Sequence, residues 1–169
     1  NIFVMTEHRA MHQDIRPIYI LILNLMPLKE ETELQLLRSL SNTPLQVDVT
    51  FMAVESHEAK NTSLSHLNKF YETFTDIKKR KFDGMIITGA PLDYIEFEDV
   101  TYWNEVCRIM DWCKSHVHCT LHLCWGAFAG LHYYYGIPKV DYEKKLSGVY
   151  EHTVVKKNSP FFRGFDDVF

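Results

Sequence analysis

Long apolar runs are missing from this chain, and so is any excess of basic charge. The longest hydrophobic stretch, Ile18–Met26 (IYILILNLM), is far too short to cross a bilayer and carries Asn24 inside it. Residues 1–17 mix charges and histidines without an apolar h-region, so no secretory signal is visible. Lys plus Arg is 18 against 22 Asp plus Glu, a net charge of −4. That balance leaves no electrostatic footprint for nucleic acid or an anionic membrane. Cysteine is sparse: Cys107, Cys113, Cys119 and Cys124, with no CxxC pair. Such a set suits free thiols in a reducing cytoplasm better than a disulfide scaffold, which serves small secreted domains with little core. Neither GxxxxGK[ST] nor GxGxxG occurs, so nothing argues for a nucleotide phosphate. Linkers, repeats and low-complexity tracts are absent too, and residues 1–169 read as a single domain. The start on Asn1 and the stop at Phe169 read as cut ends.

What is present is alternation. Ile18–Leu25 is apolar on both faces, the pattern of a central strand in a parallel sheet, and Pro27 ends it. Glu30–Leu40 follows as a helix with acidic residues in its first turn. Gln46–Met52 reads as a second strand, Leu64–Ile77 as one helix, and Gly84–Thr88 as a short strand opening into Gly89-Ala90-Pro91. Val100–Lys114 carries Trp103, Cys107, Met110 and Cys113 along one helical stripe. His118–Leu123 is the next strand, Trp125–Tyr135 the next helix, and Ser147–Val155 a later strand. This order predicts a doubly wound, three-layer α/β domain with a mainly parallel sheet. Ligands of such sheets bind beyond the carboxyl ends of the strands, where loops 26–30, 88–93 and 123–127 fall.

Cys124 stands at the hinge of CTLHLCWGAFAGL (119–131), between a strand and a helix of small residues. A nucleophile there is lifted clear of the backbone, and the small residues Gly126 and Ala127 ease the turn. The helix N-terminus favours thiolate over thiol. The amide of Trp125 can stabilise an oxyanion, as in the serine-centred elbow of hydrolases. The bland alternative is a core thiol, and Cys107, Cys113 and Cys119 read that way. His116, His118, Cys119 and His122 crowd together, but His118 and His122 lie about 13 Å apart along a strand at roughly 3.3 Å per residue. That is too far to share one zinc, so no metal site is expected.

Five longer segments, collinear along nearly the whole chain, carry a resemblance. They are LILNLMPLKEETELQLLRSLSNTPLQVDV, FDGMIITGAPLDYIEFEDVTYW, TLHLCWGAFAGLHYYYGIPK, EKKLSGVYEH and RGFDDVF. Together they resemble homoserine O-acyltransferases of the homoserine trans-succinylase type. The resemblance implies a class I glutamine-amidotransferase-like, flavodoxin-like fold and a cytoplasmic homodimer in methionine biosynthesis. It implies ping-pong acyl transfer from acetyl-CoA or succinyl-CoA to L-homoserine, with acyl-CoA as co-substrate and no permanently bound cofactor. Cys124 matches the nucleophile that becomes the acyl-thioester. Lys145 matches a substrate-binding lysine; by itself it reads as a solvated neighbour of Lys144. Lys29 sits where the family carries an active-site lysine near the oxyanion, although Leu28 replaces a second lysine common there.

Asp93, two residues after Ala90-Pro91, occupies the position that discriminates the acyl donor in that family. Glycine there leaves room for a succinyl carboxylate, and glutamate goes with acetyl-CoA. A carboxylate in a desolvated pocket repels a second one, so Asp93 points to acetyl transfer. Its plainer reading is a turn cap. Phe128 departs from the glutamine usual in that family. The general base and its carboxylate partner would follow Phe169, so the chain is expected to hold the nucleophile half of the site and to be inactive alone. His122 and His152 read as structural. Three alternatives stay open: a serine acceptor, a glutamine-amidotransferase-like cysteine hydrolase, and a catalytically incomplete piece.

Overall fold

A computed structural model of the chain describes residues 6, 8, 11–12, 14–56, 61–144 and 148–169. They fall into two compact units, one ending at Pro138 and one comprising Lys139–Phe169.

The first unit is built on five parallel strands: β1 (Ile18–Leu23), β2 (Val47–Met52), β3 (Tyr71–Glu72), β4 (Phe82–Ile87) and β5 (Val117–His122). Their order is β3-β2-β1-β4-β5. The helices are α1 (Lys29–Leu40), α2 (Leu64–Phe70), α3 (Phe74–Ile77), α4 (Trp103–His116) and α5 (Trp125–Tyr135). Side chains alternate across each strand, so Leu21 and Leu23 enter one core while Ile22 enters the other. Ile77, Val106, Ile109, Met110, Trp125 and Ala129 of α3, α4 and α5 close the larger core. Leu36 and Leu40 of α1 pack against Ile22, Phe51 and Ile86 on the opposite face. That is the expected three-layer α/β architecture, with a flavodoxin-like arrangement once the two-residue β3 is set aside. The chain winds outward from β1 through β2 to β3, then crosses to β4 on the other side. The switch point lies between β1 and β4, and the loops after those strands flank it.

The expected helix over Leu64–Ile77 is broken. Tyr71 and Glu72 leave the helix to pair with Phe51 and Met52. Thr73 restarts it with a capping box: its Oγ1 accepts from Asp76 N at 3.3 Å while Asp76 Oδ2 accepts from Thr73 N at 2.8 Å.

The second unit also differs from expectation. Within 148–155 pairing is limited to one antiparallel bridge, Thr153 with Val168. His152 N donates to Phe169 O at 2.9 Å and Phe169 N donates back at 3.0 Å. Val149 and Val155 are fully or nearly fully exposed and only Val154 is buried, too little apolar surface for a core strand. Ser147, where that strand was expected to begin, lies outside the described residues. Among the described residues no helix is long and apolar enough to cross a membrane.

Candidate active site

Cys124 lies between β5 and α5 with φ 51° and ψ −121°. It is the one non-glycine residue with positive φ among those described. The pair falls outside the right-handed wells and outside the left-handed one too, so the residue is strained. The thiol is exposed. Gly126 N donates to Leu123 O at 2.9 Å, and Ala127 N and Phe128 N both donate to Cys124 O. The amide of Trp125, at the first helical position, has no acceptor one turn back within α5. A thiol lifted by a sharp turn beside an N-terminal amide is the geometry that acyl transfer through sulfur needs.

Two glycines make the elbow possible. A Cβ on Gly126 would stand 2.7 Å from Thr88 O and 2.9 Å from Ile87 O, so α5 starts in backbone contact with the end of β4. A Cβ on Gly89 would stand 2.9 Å from Cys124 Cβ and 3.3 Å from its Sγ. The β4 loop is tied in turn to the β1 loop, where Leu25 N donates to Thr88 Oγ1 at 2.8 Å. The three rim loops therefore adjoin one another. His122 braces the elbow from below: its Nδ1 is 3.1 Å from Gly126 O, and its ring fills the space that Gly130 leaves open. Burial lowers its pKa and favours the neutral ring.

Lys29 is the first residue of α1 and is buried. Its Nζ donates to Asn24 O at 2.5 Å and Met26 O at 3.4 Å. Burial depresses its pKa to about 8, with Glu33 pulling the other way. Lys29, Asn24 and Tyr71 line a cleft of about 640 Å³ at the carboxyl ends of β1, β2 and β3. Asn24 is fully buried: its Nδ2 donates to Tyr71 Oη at 2.8 Å and to Lys29 O at 3.3 Å. Tyr71 Oη donates to Glu33 Oε1 at 2.6 Å, and His66 Nε2 lies 3.0 Å from both oxygens of that carboxylate.

Asp93 is exposed in the loop after β4, beside Pro91 and Leu92 of the cleft wall. Lys145 lies outside the described residues. Phe128 is half exposed on α5. Of the cysteines expected in the core, Cys113 is buried and Cys107 half-buried, and desolvation raises their pKa to about 12 and about 11. Cys119 corrects that expectation: it is exposed, as is Leu121 two residues on, so this face of the edge strand β5 is open to solvent.

A family model described as homoserine O-succinyltransferase matches residues 1–169. The chain belongs to this family. Proteins similar to it are named homoserine O-acetyltransferase in Agathobacter rectalis (66% identical), Lachnoclostridium phytofermentans (62%) and Methanomethylophilus alvi (57%). Each match covers all of this chain and 54%, 56% and 55% of the respective relative. The chain thus spans about half the length of the curated relatives it matches.

Within this homoserine O-succinyltransferase family chain, sequence reasoning overlooked the Asn24–Tyr71–Glu33–His66 cluster. One signal was available, a polar Asn24 inside an otherwise apolar run, since an amide buried there must find partners. Tyr71, Glu33 and His66 carried no signal of their own, because their meeting depends on how α1, α2 and β3 pack.

Proposed function

We infer that the protein carrying this chain transfers an acyl group from acyl-CoA to the hydroxyl of L-homoserine. The observation that carries the reading is the exposed, strained Cys124 at the head of α5, in a chain of this family. In this mechanism the Cys124 thiolate attacks the thioester carbonyl, and the developing oxyanion is met by Trp125 N–H and by the Lys29 ammonium. The carbon–sulfur bond to coenzyme A breaks, coenzyme A leaves as its thiolate and takes a proton from water, and Cys124 holds the acyl group as a new thioester. The homoserine hydroxyl then attacks that thioester while a general base takes its proton, and the carbon–sulfur bond breaks to release O-acylhomoserine and return the Cys124 thiolate. The base and its carboxylate partner belong to the part of the protein that the resemblance puts outside this chain. Lys145 serves as a substrate-binding residue in the same scheme.

Acetyl is the donor group we assign. The support is Asp93, whose carboxylate disfavours the second carboxylate of a succinyl group, and the O-acetyltransferase names of the relatives. A cytoplasmic homodimer supplying methionine biosynthesis is part of the same proposal. The test is mass spectrometry of the full-length protein after exposure to acetyl-CoA without homoserine. An acetyl adduct confined to the peptide bearing Cys124 is expected; full activity of the Cys124→Ala variant would end the proposal.

A further inference from the structure

Lys29 occupies a place that stability alone would not choose. It sits at the first position of α1, where the helix dipole already presents positive charge, and only 7% of it is exposed. Among the described residues no ion pair holds it. An apolar side chain in that slot would avoid the desolvation penalty altogether. Yet the surroundings are arranged to keep an ammonium there. Two carbonyls of the β1 loop accept from Nζ, which leaves one of its three donors over. The face of Tyr71 lies 5.6 Å from the nitrogen. Asn24 uses both amide atoms inside the same cluster: Oδ1 accepts from Met26 N at 3.1 Å, and Nδ2 donates to Lys29 O and Tyr71 Oη. The break between α2 and α3 is what turns Tyr71 into this position.

Resting on the reading that Lys29 meets the acyl oxyanion, we propose that Asn24, Tyr71 and Glu33 are positioning residues that hold the Lys29 ammonium at the rim of the cleft, with His66 anchoring Glu33. The hydrogen-bond directions are consistent along the chain. Asn24 donates to Tyr71 Oη, Tyr71 donates to Glu33, and the carboxylate stays an acceptor for His66. Glu33 is thus held one helical turn from Lys29 as a fixed negative charge. The other titratable groups of this neighbourhood are Glu30 of α1, 3.8 Å from His66 Nδ1, and Glu55, Glu72 and Asp99, which line the cleft. Glu72 is paired with Arg80 at 2.8 Å, and Glu55 accepts from Thr75 N at 2.9 Å, so both face other partners.

Glu33 favours the charged amine; removing its charge lowers the pH at which Lys29 loses its proton, so the alkaline limb of acyl transfer moves down. The experiment uses the full-length enzyme with acetyl-CoA, comparing Glu33→Gln and Tyr71→Phe with the wild type. Competitive acetic-anhydride labelling, read by mass spectrometry, titrates Lys29 itself. The burst of coenzyme A release reports the first half-reaction. For Glu33→Gln the labelling midpoint and the alkaline limb should both fall by about half a pH unit or more, with the rate recovered at lower pH. For Tyr71→Phe the burst rate should fall about tenfold, with KM for acetyl-CoA changed less than about threefold. Iodoacetamide alkylation of Cys124 should be unaltered in both variants, since the elbow does not depend on the cluster. Unmoved labelling midpoints, or a Tyr71→Phe burst at the wild-type rate, would overturn the positioning role. A shifted midpoint with an unshifted limb would leave the positioning intact and remove Lys29 from the acyl step.

Discussion

The strain at Cys124 can be measured by replacing it in two ways that differ only in a Cβ. Both Cys124→Ala and Cys124→Gly remove the sulfur, so both lose whatever chemistry the thiol performs. At an ordinary exposed position glycine is less stable than alanine by roughly 0.5–1 kcal/mol, because the unfolded chain gains freedom. At φ 51° and ψ −121° alanine keeps the clash of Cβ with the backbone, worth roughly 1–2 kcal/mol, while glycine relieves it. The side chain is exposed, so little burial is lost in either variant. The difference predicts that Cys124→Gly is more stable than Cys124→Ala by about 0.75 kcal/mol. In a urea titration with a slope of about 2.5 kcal/mol per M, that is a midpoint about 0.3 M higher. A glycine variant about 1 kcal/mol less stable than the alanine variant would show that the elbow is unstrained, and the case for a backbone held for function would fail with it.

Other expectations follow from the same geometry. Gly126→Ala drives a methyl into the backbone oxygens of Thr88 and Ile87, so it should cost about 1–3 kcal/mol by urea titration and slow Cys124 alkylation. Lys29 titrates near 8 when folded against its ordinary 10.5, so the folded state binds fewer protons between those values and stability rises with pH across that window. The rise should be about 3 kcal/mol, and urea titrations from pH 7 to 11 should show it missing in Lys29→Met. Asp93→Gly in the full-length protein should raise kcat/KM for succinyl-CoA relative to acetyl-CoA, read by coenzyme A release with each donor; an unchanged ratio would remove Asp93 from donor selection. The indole nitrogen of Trp125 is buried without a hydrogen-bond partner among the described residues. Trp125→Phe should therefore cost far less than Trp125→Ala, for which thermal or urea unfolding should show about 3–5 kcal/mol.

Much of this molecule is local in origin and was legible from the order of residues. The run IYILIL can satisfy its apolar side chains only between two layers, which makes β1 central. The helix Trp125–Tyr135 is delimited by what its ends can do: Cys124 turns into it, and Gly136 leaves it at φ 67° with its amide bonded to His132 O. The position of Cys124 at the rim followed from that alternation alone. Other features depend on partners far away in the chain. Tyr71 leaves a helical pattern because Phe51 offers a strand edge and Asn24 and Glu33 offer hydrogen bonds, and no window around residue 71 contains any of the three. Lys29 has the composition of a solvated lysine and the setting of a buried one, since the carbonyls of the β1 loop and the ring of Tyr71 close over it. Periodicity and turn residues act over a few positions and are written in the sequence itself. Burial, shifted protonation and the meeting of α1 with β3 arise only when distant segments exclude water together, and these the tertiary structure alone decided.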